Sequence, residues 1–152
     1  MMKLATLLLP AIILAVTTGG AAYATDAAQM EANKKAVVDF YEKGLNQKDF
    51  EAASKYFGAH YVQHNPLVPD GVQGFKTLVE LLRTKFPNSH NEIKRVFADG
   101  DYVILHVHNV REPGTRGSAL VDIFRLEQGK IVEHWDVRQE VPEQGVNSNG
   151  VF

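Results

Sequence analysis

The run from Ala119 to Gln139, ALVDIFRLEQGKIVEHWDVRQ, decides how the rest of the chain is read. Val121, Ile123 and Phe124, then Ile131, Val132, Trp135 and Val137, are strand formers on either side of a turn at Glu127, Gln128 and Gly129. A glycine that can take positive φ between two such runs predicts a β-hairpin. Side chains alternate along a strand, so Asp122 shares a face with Phe124, and His134 shares a face with Asp136. An acid on a half-buried face is costly unless it is paired or put to use. Asp122, His134 and Asp136 are therefore the leading candidates for general acid/base chemistry. The competing expectation pairs Asp122 with an arginine and leaves His134 and Asp136 on a solvated edge.

Working back from the hairpin, the period is two. Tyr102 to Val110 is predicted as a strand, with Val103, Leu105 and Val107 on one face and Ile104, His106 and His108 on the other. Asp99-Gly100-Asp101 is a turn signal, and Asn91 to Ala98 precedes it as another strand. Before Pro87 the spacing is helical. Val72 to Lys85 carries Phe75, Leu78, Val79 and Leu82 at core spacing. From Thr25, Met30, Val37, Tyr41 and Leu45 fall near one stripe, ended by Gly44 and Asn46. Asp49 opens a short second helix with Phe50, Ala53 and Phe57, closed by Gly58. Tyr61 to Pro66 is a short strand ended by a proline that cannot donate to a ladder. The tail from about Pro142 has no periodicity. Helices first and strands afterwards argue for an α+β domain, in which three helices cover one face of a mostly antiparallel, curved sheet and enclose an apolar pocket. His64 and Asn65, beside a flexible loop, with Phe57 and Phe124 from the apolar set, are the candidate ligand-contacting residues.

The N-terminus has the features of a targeting segment. Met1 to Ala24 carries one positive charge (Lys3), an apolar run from Leu4 to Val16 and an A-x-A pattern at Ala22-Tyr23-Ala24. This predicts a secretory signal cleaved before Thr25, leaving residues 25–152 as one domain that is periplasmic or secreted. The rival reading is an uncleaved membrane anchor. The run is shorter than the ~20 residues of a spanning helix and small residues follow it, so the cleaved signal is preferred and no membrane attachment is expected after cleavage. With no cysteine among 152 residues, neither a lipid anchor at the cleavage site nor a disulfide framework is available. A formal charge of −2, with no basic stripe, gives no electrostatic case for nucleic acid.

A metal-site alternative lies in His106-x-His108, with Glu112 at the same parity. Gly100, five residues, His-x-His and Glu is close to the first metal motif of the cupins, and two imidazoles with a carboxylate can hold a divalent ion. The downstream histidine segment of that motif is missing, and the first half of the chain is helical. Paired polar residues at a subunit interface are the preferred expectation for these histidines, with no metal site assigned. Trp135 alternates away from His134 and Asp136 and is expected in packing.

The chain resembles the SnoaL-like polyketide cyclases of the NTF2-like (cystatin-like α+β cone) superfamily. The resemblance rests on the early helix with Asn46 and Asp49, the Tyr61 to Pro66 segment, the Asp99-Gly100-Asp101 turn and, most specifically, DIFRLEQGKIVEHWD from Asp122 to Asp136. It implies the cone fold, a hydrophobic cavity and a homodimer through the sheet. The ligand expected in such a cavity is small and apolar, and no cofactor is expected. In the aromatic polyketide cyclases an aspartate on the last strand is the acid/base of an intramolecular aldol closure, and Asp136 aligns with it. A histidine assists from the preceding strand there, and Asp122 stands at that position here. Two functions follow as expectations: a cyclase, isomerase or hydrolase, or an exported binding module using the same cavity.

Overall fold

Residues 19–152 are described by the structure, a computed structural model, with side chains from Asp26 onward. The apolar run of the expected signal lies outside the described residues up to position 18, and the expected cut before Thr25 falls inside the first described helix.

Three helices, α1 (Gly19–Tyr41), α2 (Phe50–Ser54) and α3 (Gly71–Lys85), pack on one face of a five-stranded sheet. Its strands are β1 (Phe57–Gln63), β2 (His90–Asp99), β3 (Tyr102–Val110), β4 (Ser118–Glu127) and β5 (Lys130–Glu140), in the order β1-β5-β4-β3-β2. Only β1 runs parallel to its neighbour, β5. The α+β architecture and the layering are as the periodicity predicts. Among the described residues no helix is long and apolar enough to cross a membrane.

Local chemistry explains the boundaries. Val37, Phe40 and Tyr41 give α1 its buried stripe, and Phe75, Val79 and Leu82 do the same for α3. A π-helical turn, Glu42–Asn46, continues α1. Asn46 then ties the helix end to the start of β2, donating from Nδ2 to the Asn91 carbonyl (3.0 Å) and accepting the Asn91 N–H on Oδ1 (2.8 Å). The Asp49 carboxylate caps α2 by accepting the Ala52 N–H at 2.9 Å. Phe57 is a correction to the helical expectation. It opens β1 opposite Ile131, and the helix stops three residues earlier at Ser54.

The hairpin turns on two residues, Gln128 (φ 52°) and Gly129 (φ 74°), between the paired Glu127 and Lys130. Two successive positive φ values give the tight turn whose twist matches that of the strands. A bulge follows on β5. The register passes from Leu126↔Ile131 to Arg125↔Glu133, leaving Val132 unpaired in the count. The bulge lets Ile131 join the core while His134 and Asp136 still face inward from the same strand.

Val103, Leu105 and Val107 are fully buried beneath the helices, with Phe124, Leu126 and Ile131 beside them. Four phenylalanines knit the layers: Phe40 stands 5.1 Å from Phe57, 4.9 Å from Phe75 and 5.8 Å from Phe124. The opposite sheet face carries Phe97, Tyr102, Val121 and Val137, each substantially exposed.

Candidate active site

Where helices and sheet diverge, a cavity of ≈ 390 Å³ opens between α3, the Asn65–Val68 loop and the inner faces of β3, β4 and β5. Phe40, Leu78 and Leu82 supply its apolar wall, and Asp122, His134 and Asp136 stand on its sheet side.

The register brings the two aspartates together. Asp122 and Asp136 are direct cross-strand partners, and the next inward pair is Phe124 with His134. Asp122 and His134 are buried, at 3% and 8% exposure, while Asp136 is half-buried. Asp122 is not paired with an arginine. Its Oδ2 accepts the Tyr41 hydroxyl at 3.1 Å, and its Oδ1 faces His134 Nε2 at 3.1 Å.

The protons of this network can be assigned by following the donors. Gln63 Oε1 accepts the Asn65 N–H at 2.9 Å, which fixes the amide oxygen, and His134 Nδ1 lies 2.9 Å from the same oxygen. Nδ1 must therefore carry hydrogen. The contact of Nε2 with Asp122 then needs a second proton, held on the imidazole or on the carboxyl, so the pair shares one proton beyond a neutral imidazole and a carboxylate. Tyr41 stays a donor, because burial and then the Asp122 charge push its phenol well above the usual range. Burial raises Tyr61 likewise, and its hydroxyl accepts from Gln63 Nε2 at 2.9 Å.

Asp136 is held differently. Asn65 Nδ2 donates to its Oδ2 at 2.6 Å, and the Asn65 oxygen accepts the Leu67 N–H at 2.8 Å, fixing that amide too. Its second oxygen has no protein donor among the described residues. Asp136 is thus the one acid of the site with an acceptor free for a ligand.

Of the ligand-contacting candidates, Asn65 and Phe124 line the cavity, whereas His64 and Phe57 do not. His64 follows β1 and turns to the outer face, stacking on Trp135 at 4.6 Å and contacting Glu133 at 2.9 Å. Phe57 is consumed by the aromatic core. Sequence reasoning misses Gln63 and Tyr41 as site residues: Gln63 has no signal of its own in an isolated strand, and Tyr41 shows only as part of a helical stripe.

The cupin-like alternative is also corrected. His106 and His108 lie on the outer face. His106 Nδ1 is 2.9 Å from Arg95 Nη1, and His108 Nε2 is 2.8 Å from the Arg116 carbonyl. Among the described residues the group with ligand atoms in reach of one metal ion is Asp122, His134 and Asp136, all within 4.8 Å of one another. Two carboxylates and an imidazole are a donor set for a divalent cation. To ligate one, His134 would have to surrender its contact with Gln63 or with Asp122.

Fold and site together define a cystatin-like α+β cone with an acidic, hydrogen-bonded centre between helices and sheet. A family model described as SnoaL-like polyketide cyclase matches residues 35–143, and the chain belongs to that family. Solved structures agree on the fold. TsrD from Streptomyces laurentii is 18% identical, with a TM-score of 0.60, over 70% of this chain and 88% of that one. A cystatin-fold protein from Novosphingobium aromaticivorans is 23% identical, with a TM-score of 0.61, over 70% and 97%. An NTF2-like protein from Burkholderia xenovorans is 15% identical, with a TM-score of 0.62, over 76% and 89%. No curated protein matches the chain.

Proposed function

We propose that the protein is a cofactor-independent acid/base catalyst, of aldol cyclase, isomerase or hydrolase type, acting on a small and largely apolar carbonyl compound in the cavity. The observation that carries this is the asymmetry of the two aspartates. Asp136 keeps an oxygen free at the cavity, while Asp122 is saturated by Tyr41 and shares a proton with His134. One group can accept a proton and the other can return one, as acid/base chemistry requires. In an aldol closure Asp136 would take the proton from the carbon beside a carbonyl. The new carbon–carbon bond would form at a second carbonyl, and the proton held by Asp122 and His134 would pass to the resulting alkoxide.

The test begins with mass spectrometry of whatever co-purifies in the cavity from the native cell. That compound is then incubated with the protein in D2O. Deuterium entering beside the carbonyl, or ring closure, that vanishes in Asp136→Asn while binding persists, identifies catalysis. Binding with neither exchange nor conversion would establish the second reading, a non-catalytic binding module. That reading draws on one feature: both oxygens of Asp122 and both nitrogens of His134 already have protein partners, as they would in a purely structural network.

Two further proposals accompany it. The apolar outer face, with Phe97, Tyr102, Val121 and Val137 exposed, supports a homodimer through the sheet. The charged, apolar and A-x-A pattern of residues 1–24 supports export, and N-terminal sequencing of exported protein should begin at Thr25.

A further inference from the structure

Three buried side-chain atoms among the described residues have no hydrogen-bond partner: Ser89 Oγ, Asn109 Oδ1 and Arg111 Nε. All three residues line the cavity, at the end away from His134. Native proteins rarely leave such atoms orphaned, because each costs its full desolvation, and three in one place point to a missing polar partner. Their positions are set by β2 and β3. Asn91 and Asn109 are cross-strand partners near the ends of those strands, Ser89 immediately precedes β2, and Arg111 immediately follows β3.

Arg111 is the informative member. Its guanidinium carbon lies 5.1 Å over the Phe86 ring, just beyond α3, and it makes no salt bridge among the described residues. The acid whose charge acts on it, Glu140, is already engaged by Arg138 Nε at 2.8 Å and by Ser118 Oγ at 3.0 Å. Burial, then the neighbouring Arg138, push the Arg111 guanidinium below its ordinary value, with Glu140 opposing weakly. Lys48 adds a further cation behind Ser89, donating to its carbonyl at 3.0 Å. At this end of the cavity the half-buried Arg111 has no counter-ion among the described residues, whereas the other end holds the two aspartates.

We propose that the cavity takes an amphipathic carboxylic acid, whose carboxylate seats on Arg111 and Ser89 while its apolar body reaches toward Asp136. Guanidinium geometry suits a carboxylate, and a ligand hydroxyl or water beside the carboxylate would satisfy the Asn109 oxygen. The span is set by the sheet. Ser118, the β4 partner of Asn109, is four residues from Asp122, roughly 13 Å along the strand at the usual rise. A bicyclic body or a chain of comparable length bridges that distance. The proposal rests on the cavity being the ligand site, as in the function proposed above, and adds the class of molecule it admits.

Isothermal titration with a matched pair, naphthalene-2-acetate and its neutral amide, tests this on the whole mature chain. At pH 7 the acid should bind wild type about tenfold more tightly than the amide, the size expected of one charge-assisted contact. Arg111→Met should remove the preference, bringing the acid's affinity down to that of the amide. If Arg111→Met fails to fold, Arg111→Lys carries the comparison, and its preference should fall severalfold because lysine lacks the Nε donor. Equal binding of acid and amide to wild type, or a preference undiminished in the variants, overturns the carboxylate seat and leaves the acid/base proposal standing. Binding of neither probe to wild type would count against the cavity as a ligand site, and against the carboxylate seat with it.

Discussion

Asp122 and Asp136 face each other across β4 and β5, and three of their four carboxylate oxygens are taken, two on Asp122 by Tyr41 and His134 and one on Asp136 by Asn65. Carboxylates set this far from water need hydrogen-bond donors as help. The help here is a proton shared with His134 and two neutral donors. Chemistry at the site depends on which groups hold those protons.

His134 should therefore carry hydrogen on Nδ1 whatever the state of Asp122, since Gln63 Oε1 accepts there and cannot donate. Nitrogen-detected NMR of the imidazole should show a protonated Nδ1 in wild type and also in Asp122→Asn. A bare, pyridine-like Nδ1 in wild type would mean that the assigned network is wrong.

Tyr41→Phe removes the donor to Asp122 Oδ2 and leaves a buried carboxylate oxygen unpaired. Both residues are nearly sealed from solvent, at 1% and 3% exposure, so water cannot readily replace the hydroxyl. Urea unfolding should show a loss of about 1–3 kcal/mol at pH 7. A change within about 0.5 kcal/mol, the size of an ordinary surface substitution, would show that the hydroxyl is not what holds Asp122.

These two residues also mark what was legible in the sequence. The hairpin, the α+β order and the acids of β4 and β5 follow from alternation, because a period of two fixes which side chains share a face. That Asp122 and Asp136 meet depends on register: the two-residue turn at Gln128 and Gly129 alone would set Asp122 opposite Trp135, and the bulge at Val132 moves its partner on by one, to Asp136. Long-range partners carry no such local signal. Tyr41 lies 81 positions from Asp122, and Gln63 lies 71 from His134. His64 was misplaced for a related reason. At the end of a parallel edge strand its direction is decided by the stack on Trp135, which the sequence does not display.

On the outer face, Glu133 is held below the ordinary carboxylate value, first by Arg125 and then by His64. A carboxyl lowered in the folded state stabilises the protein above its unfolded value, near ~4.3, and loses that contribution as pH falls through the folded value. Wild type should therefore exceed Glu133→Gln in stability at pH 7 by no more than about 1 kcal/mol, given partial exposure. The gap should close between about pH 5 and pH 3. Thermal unfolding across that range checks it, and a gap that widens on acidification would contradict the assignment.

The loop that carries Asn65 depends on a glycine in α3. In an exposed helix interior, glycine to alanine gains up to about 1 kcal/mol, because alanine loses less backbone entropy. Gly74 reverses that sign. A Cβ there would stand 1.7 Å from the Pro69 carbonyl oxygen, and the obstacle is backbone, which cannot rotate away. Gly74→Ala must push the Asn65–Asp70 segment off the helix, and Asn65 goes with it, releasing Asp136 Oδ2. The expected result is a loss of about 1–3 kcal/mol in urea unfolding, the range for overpacking. In the molecules that still fold, the Asn65 side-chain amide resonances should shift toward solvent-exposed values while those of Gln63 stay in place. A neutral or stabilising Gly74→Ala would mean that the loop yields freely, and that Asn65 is not held against Asp136 by its packing on α3.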